Sequence, residues 1–260
     1  MIENVYQHFR KEEQAFIDIV IGWIRSVEDQ YTPYLTNFLD PRQLHIVKTI
    51  IGKNSEITIH SFGGYEAAER VRAFICPAYF TPKQDDFEVA ICEIRYPIKF
   101  ASLSHGKVLG TLLSTGLKRD YFGDIISDGT RWQVFVENST KSYVEQQVIS
   151  IGKVSVRLEE RNYTDILVPI DNWTFESQTV SSMRLDTLVS SVFNISRQRA
   201  KQMIDSGKVK LNWVELNRPD FEIGLLDIVS VRGYGRFQVQ EIEGKTKKDK
   251  WRLQLGVLHK

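Results

Sequence analysis

Arg184-Leu185-Asp186, followed by Ile195-Ser196-Arg197-Gln198-Arg199-Ala200-Lys201 and then Gly207-Lys208-Val209-Lys210-Leu211-Asn212, is the stretch from which the fold of this chain is read. Leu185, Leu188, Val189 and Val192 recur at helical spacing and predict a first short helix. Ser196 is a capping residue for a second helix running through Ile204. Gly207 stands where a helix-ending glycine belongs, and Val209 to Asn212 reads as a strand. The segment is therefore a small helical hairpin that presents cations and turns straight into a strand. Such a surface suits the ridged anionic backbone of folded RNA better than it suits a small molecule.

The charge distribution agrees. Residues 181–260 hold 15 Lys and Arg against 9 Asp and Glu, a balance of +6, whereas residues 1–180 hold 19 against 24, a balance of −5. A basic module on a mildly acidic body attracts a polyanion, for which RNA and an anionic membrane surface both qualify. Cys76 and Cys92 have no Cys or His at metal-ligand spacing and make no disulfide framework, so reduced, small apolar side chains are expected. The polar start Met1-Ile2-Glu3-Asn4 does not read as a signal peptide. The apolar run Ala15–Ile24 is short and interrupted by Asp18, so no membrane insertion is expected. These features point to a cytoplasmic protein.

Working outward, the N-terminal segment reads as a small α/β domain over 1–83. Phe16, Ile17, Val20, Trp23, Ile24 and Val27 form the inner stripe of a helix over 11–30, with Val5 and Phe9 in a preceding turn. Asp40-Pro41 starts a second helix that Gly52 stops. Glu56–His60 alternates as a strand, Gly63-Gly64 turns, and 66–74 is expected as a helix. Residues 84–170 form the clearest pattern. Strands at 87–96, 122–127, 132–137 and 148–158 and helices at 104–117 and 138–147 occur in the order βαββαβ, a ferredoxin-like middle domain. Asp128-Gly129 marks its hairpin. Many RNA-recognition modules share this order, but Arg131-Trp132-Gln133-Val134-Phe135-Val136 lacks their usual stacking aromatics, and the fold alone gives no function. Residues 171–181 are polar, break the periodicity and read as a linker. From 181 to 260 the hairpin is followed by short strands, with Gly233-Tyr234-Gly235 joining two of them. The fold class is α+β.

Met183-Arg184-Leu185-Asp186, Ser196-Arg197-x-x-Ala200 and Ile204-x-x-Gly207-x-Val209-x-Leu211-Asn212, in this order and spacing, resemble the RNA-binding domain of ribosomal protein S4, whose αL fold the C-terminal domain would share. Two departures stand in turns: Trp213 follows Asn212 where relatives usually place Gly, and Leu226-Asp227 replaces Gly-Asp. The whole chain resembles the YlmH family of bacterial S4-domain proteins. Leu35 to Arg42, Gly63-Gly64-Tyr65-Glu66-Ala67-Ala68-Glu69-Arg70, and Gly110 to Arg119 leading to Gly123-Asp124-Ile125 carry that likeness. The resemblance implies a cytoplasmic RNA-binding protein linked to the ribosome. Related small S4-domain proteins bind large ribosomal subunits carrying stalled peptidyl-tRNA, so rRNA, tRNA and the large subunit are the implied partners. Gene neighbourhood adds division proteins.

The candidate RNA-binding residues are Arg184, Ser196, Arg197, Arg199, Lys201, Lys208 and Lys210. Arg197 and Lys201 are four apart on one helix face. Arg184 precedes the first helix; Lys208 and Lys210 follow the second. Arg chelates a phosphate or stacks on a base, whereas Lys acts as a compact charge. Free N–H groups near Ser196 would add a phosphate site. The bland alternative is intradomain pairing of these cations with Asp186 or Asp205. Lys245, Lys247, Lys248 and Lys250 form a second basic cluster on a hairpin loop, and Lys118, Arg119 and Arg131 are candidate extensions of the surface. Tyr65 is expected to pack rather than to stack on a base.

Enzymatic readings are weaker. Arg-Leu-Asp also surrounds the catalytic aspartate of pseudouridine synthases, which would make Asp186 a nucleophile, but no separate synthase-sized domain accompanies it. No phosphate loop or dinucleotide fingerprint occurs. The five histidines, His8, His45, His60, His105 and His259, are scattered. No catalytic residue, cofactor or metal is expected.

Overall fold

The computed structural model describes residues 9–52, 56–169 and 173–259. The chain divides into two units, Met1–Ile170 and Asp171–Lys260. The expectations placed on Val5, on His8 and on the extreme N-terminus lie outside the described residues.

In the first unit, helix α1 (Gln14–Gln30) follows one tight turn at Lys11–Glu13 and buries Ile17, Val20 and Val27 of the predicted stripe together with Ile21, while Phe16, Trp23 and Ile24 are partly buried against the core. Strand β1 (Tyr34–Leu39) leads into helix α2 (Pro41–Ile51). Asp40 accepts from the Gln43 amide at 2.8 Å while Gln43 accepts from the Asp40 amide at 2.9 Å. This reciprocal box, with Pro41 at the first helical position, fixes where α2 begins. Strands β2 (Ile57–Phe62) and β3 (Val71–Pro77) complete an antiparallel sheet of order β1-β3-β2. The helix expected over 66–74 is not formed. Val71–Pro77 is instead the central strand and is buried at every position, so its apolar run carries no alternation to separate it from a buried helix.

Strand β4 (Val89–Arg95), helix α3 (His105–Ser114), strands β5 (Phe122–Ser127) and β6 (Trp132–Glu137) and helix α4 (Lys141–Gln147) follow the predicted order. The last expected strand, 148–158, is broken. A small hairpin of β7 (Ser150–Ile151) and β8 (Val154–Ser155) precedes β9 (Arg157–Arg161), and only β9 joins the sheet. The sheet order β5-β6-β4-β9, antiparallel throughout, is the ferredoxin-like arrangement. Ala90, Cys92 and Ile94 pack under α3 and α4, against Val108, Leu112 and Val144. Val89 and Ile91, on the other face, meet Phe38, Phe74, Phe87 and Phe135. Both sheets of the unit thus share an aromatic core.

The family-like stretches around residues 38, 65 and 123 meet at that junction. Buried Arg70 donates to the carbonyls of Phe38 (2.9 Å) and Phe122 (3.2 Å). Asp124 accepts from the Tyr65 hydroxyl at 2.8 Å and from the amides of Glu69 and Arg70 at 2.8 and 3.1 Å. Tyr65 lies 5.2 Å from the Phe135 ring and is a packing aromatic, as expected. Arg119, a candidate for the RNA surface, is turned inward and donates to the carbonyls of Phe122 and Gly123. Burial and the neighbouring Arg70 pull its pKa down to about 9.

The second unit opens with β10 (Thr174–Val180), which pairs along its length with the last strand. The expected linker 171–181 is therefore mostly an edge strand, with 171–172 outside the described residues. Of the positions it turns inward, Glu176 and Gln178 are polar and half-buried and Val180 is buried, while Phe175 is exposed on the outward row, which removes the apolar–polar alternation that marks a half-buried strand. Helices α5 (Leu185–Val192) and α6 (Arg197–Asp205) are followed by β11 (Val209–Leu211), β12 (Val214–Glu215), β13 (Ile228–Val231), β14 (Gly235–Lys245) and β15 (Trp251–His259). The sheet order is β10-β15-β14-β13-β11-β12. Leu185, Leu188, Ala200, Met203 and Ile204 of the hairpin pack on Val209, Leu211, Phe237, Leu253 and Leu255. Two helices thus lie on one face of the sheet with their polar sides outward.

Candidate nucleic-acid interface

The sequence makes Asp186 the second residue of α5 and Arg197 the first of α6, so the turn between the helices brings both N-terminal ends together. Asp186 has no exposed side-chain surface, whereas Arg184, Arg197 and Lys201 are 35, 52 and 49% exposed. Each carboxylate oxygen accepts from both arginines. Arg184 donates through Nε to Oδ1 (3.1 Å) and through Nη2 to Oδ2 (3.2 Å). Arg197 donates through Nε to Oδ2 (3.1 Å) and through Nη2 to Oδ1 (3.2 Å). Lys201 Nζ stands 3.9 Å from Oδ2, and the Thr187 hydroxyl donates to Oδ1 at 3.3 Å. Burial pushes the Asp186 carboxyl up, but the hydrogen bonds and charges of Arg184 and Arg197 outweigh it and hold it below the usual carboxylate range.

One buried negative charge therefore gathers three cations and leaves an excess of two. The arrangement limits the rotamers of long side chains, so less entropy is lost when a ligand engages them. The expected intradomain pairing with Asp186 is present, and it brings Arg184, Arg197 and Lys201 together.

The other candidates separate. Ser196 caps α6 by accepting from the Arg199 amide at 3.1 Å, so this amide is taken by the protein and the phosphate site expected there is reduced. The Arg199 side chain is exposed. Lys208 follows Gly207, whose φ of +67° ends α6. The Gly207 amide bonds Ile204 O (3.1 Å) and the Lys208 amide bonds Met203 O (3.0 Å), the paired bonds of a Schellman motif. Lys210 is not part of the cluster. It lies between Val209 and Leu211, which face α5 and α6 in the core, and strand alternation turns it to the opposite face of the sheet. In the lysine loop between β14 and β15, Lys245 is held by Asp249 at 2.7 Å and sits 5.1 Å over the Trp251 ring, while Lys247, Lys248 and Lys250 are exposed.

Asn212 anchors the turn behind the hairpin. It adopts φ +46°, donates to Asp227 at 2.9 Å and accepts from the Ile228 amide at 2.9 Å. The two departures from the S4 pattern, Trp213 and Leu226, both have left-handed backbone, at φ +67° and +62°. These are the positions where glycine carries no Cβ penalty. Among the described residues no three His, Cys, Asp or Glu side chains are grouped to hold a metal, and no helix is long and apolar enough to cross a membrane.

Three family models match the chain in order: "YlmH, N-terminal" over 12–80, "Putative RNA-binding domain in YlmH" over 82–165, and "S4 domain" over 183–229. The chain is 41% identical over 252 residues to "Ribosome-associated protein quality control protein P2" of Bacillus subtilis, covering 97% of this chain and 98% of the relative. It belongs to the YlmH family. A solved YlmH-family structure, "Cell division protein ylmH from Streptococcus pneumoniae", is 37% identical, with a TM-score of 0.55, and covers 63% of this chain and 99% of its own. The S4 match begins at Met183 and so contains the whole Asp186 cluster, whereas the turn departures mark where this member differs from the usual pattern.

Asp186 was legible in the sequence as an intradomain partner of the cations, but not as the residue that holds three of them at once. The signal was present: an acid two residues from one arginine and close to the start of the next helix. Arg95 and Arg161 were not singled out, because Arg95 reads as an ordinary strand residue and Arg161 falls beyond the expected strand 148–158 until β4 and β9 are known to be neighbours.

Proposed function

We propose that this YlmH-family chain is a non-catalytic, cytoplasmic RNA-binding protein that docks on the ribosome through its C-terminal S4 domain. Arg184, Arg197 and Lys201 contact phosphates, with Arg199 and Lys208 at the margin. The observation that carries this reading is the fully buried Asp186 holding three half-exposed cations with two positive charges in excess. A-form RNA hides its base edges, so recognition by such a patch reads backbone shape and charge. The printed name of the Bacillus subtilis relative supports a ribosomal setting, and we place the contact on rRNA, tRNA or both in the large subunit, in the quality control of stalled translation. Asp186 is poorly suited to be a nucleophile, since both of its oxygens are held by arginines and it has no exposed surface.

The test is crosslinking of the protein to RNA in intact cells, with Arg197→Gln plus Lys201→Gln as the comparison. Glutamine keeps an amide donor for Asp186, whereas a carboxylate at 197 would face it. Crosslinks in large-subunit rRNA and tRNA that vanish in the variant are expected. Equal crosslinking by a well-folded variant would refute the site. The name of the pneumococcal structure favours a second reading, a division scaffold. Midcell localisation that survives the same substitutions would favour it over ribosome docking.

A further inference from the structure

The first unit carries a second acid-centred arginine cluster, on the face of the ferredoxin-like sheet away from α3 and α4. Gln133, Glu93 and Glu159 stand directly opposite one another on β6, β4 and β9. Two carboxylates side by side on neighbouring strands repel, and arginines bridge them. Arg95 reaches Glu93 Oε1 at 2.7 Å and Glu159 Oε2 at 2.8 Å. Arg161 reaches Glu93 Oε2 at 3.1 Å and Glu159 Oε2 at 2.8 Å. Arg157 also pairs with Glu159. Arg131 lies across the groove, held by Asp128 at 2.8 Å. Gln133, buried, donates to Asp165 O at 2.8 Å and accepts from the Leu167 amide at 3.0 Å, which pins the segment forming the far wall.

Arg95, Arg131 and Arg161 line an open groove of about 410 Å³ floored by Glu93 and walled by Asp165 and Leu167. Glu93 is buried, whereas Arg95 and Arg131 are 48 and 50% exposed. A buried charge is an expensive way to fill a sheet, since apolar residues of similar size are commonly as stable or more so. What the carboxylates accomplish is to hold guanidinium forks in place at a groove, as Asp186 holds its cations in the second unit, but here Arg95, Arg131, Arg157 and Arg161 are set against Glu93, Glu159 and Asp128, with Asp165 on the wall, so the site presents ordered forks rather than an excess of charge. Guanidinium forks match the oxygens of a phosphate, and the groove lacks the enclosed apolar lining of a small-molecule pocket.

We propose that this groove is a second RNA-binding site, which takes the sugar–phosphate strand of RNA across Arg95, Arg131 and Arg161. The inference rests on the RNA-binding reading above and adds where the first unit grips. Two sites on one chain raise the effective concentration of RNA at each, so modest contacts combine into tight binding.

The experiment measures binding of the full chain to a fluorescent RNA hairpin with a short unpaired tail across a salt series. It compares wild type, Arg95→Gln plus Arg131→Gln, and Arg197→Gln plus Lys201→Gln. Glutamine at 95 keeps a donor for Glu93, and Arg131→Ala alone serves if the double variant unfolds. Loss of two strand-phosphate contacts lowers the slope of log affinity against log salt by about 1.4 and weakens binding about tenfold at physiological salt. Arg131→Ala should lower the slope by about 0.7. Wild-type binding by a folded groove variant, alongside loss in the S4 variant, overturns the groove and leaves the S4 site standing. Wild-type binding by both variants overturns both sites, and absence of binding by the wild type removes the RNA reading itself. Inorganic phosphate at matched ionic strength is the competitor. If it abolishes the groove-dependent part of binding while sparing the S4 part, the groove is a small-anion site and the proposal fails.

Discussion

Asp186 and Arg197, eleven positions apart, form a two-pronged pair in which Nε meets Oδ2 at 3.1 Å and Nη2 meets Oδ1 at 3.2 Å. The pair locks the start of α6 to the start of α5, and it aims Arg197 outward because its partner is wholly buried. Asp186→Asn keeps the shape but removes the charge. The arginines can turn to water, so the stability cost is moderate, about 2 kcal/mol, read as a shift in the urea midpoint. RNA affinity is expected to fall with it, because the cations lose their fixed positions. Unchanged affinity in Asp186→Asn would mean that the cluster is not used as a unit.

The same pair sets an acid limb on stability. Asp186 titrates below the ordinary aspartate value of 3.8 in the folded protein, so folding binds fewer protons than unfolding near that pH. Its contribution is fully present above the unfolded pKa and is lost as pH falls through the folded one. The gap between the denaturation midpoints of wild type and Asp186→Asn should narrow as pH is lowered from 6 to below 3.8. Parallel curves over the whole range would contradict the assignment.

Phosphate contact makes affinity steeply salt-dependent. With Arg184, Arg197 and Lys201 each neutralising one phosphate of a duplex stem, the S4 site contributes a slope of about −2.7 in log affinity against log salt. Lys201→Gln should flatten it by about 0.9, with little change in the thermal midpoint, because Lys201 is the most distant of the three from Asp186. Fluorescence anisotropy titrations at several salt concentrations measure both.

How much of this was legible in the sequence depends on whether the deciding interaction is local. The start of α2 is written in Asp40-Pro41 and Gln43, and β5 and β6 follow from alternation around Asp128-Gly129, so these elements coincide with their expected bounds. Strand β3 was misread because both of its faces are buried, which depends on β1 and β2 flanking it. Strand β10 was misread because an exposed edge strand needs no apolar face and is held by β15, far away in the chain. For the site, the cations of the hairpin were visible as charges close in sequence. Asp186 was visible as a possible partner for them, but its hold on three at once and the Arg95–Glu93–Arg161 bridge were not, since these arise only when strands or helix ends become neighbours. Lys210 was misplaced for the reverse reason: nearness in sequence to Lys208 says nothing of which sheet face it occupies.

Two glycines with positive φ should respond differently to the same change. Gly207 has φ +67°, and a Cβ there would come within 2.4 Å of Glu215 Oε1. That oxygen ends a flexible, exposed side chain and can move away, so Gly207→Ala is expected to cost little beyond the left-handed backbone penalty, about 1–2 kcal/mol. Gly64 has φ +105°, and its Cβ would fall 2.2 Å from Cδ1 of Phe135. Phe135 is fully buried in the core shared by the two sheets of the first unit, where displacement of a ring disturbs packed neighbours. Overpacking adds about 1–3 kcal/mol to the backbone term. Gly64→Ala should therefore destabilise the protein by more than Gly207→Ala in equilibrium unfolding, and should do so through the first unit while leaving hydrogen-exchange protection of α5 and α6 intact. Equal costs for the two substitutions would mean that the Phe135 ring has room to yield, and that Gly64 is kept for backbone conformation alone.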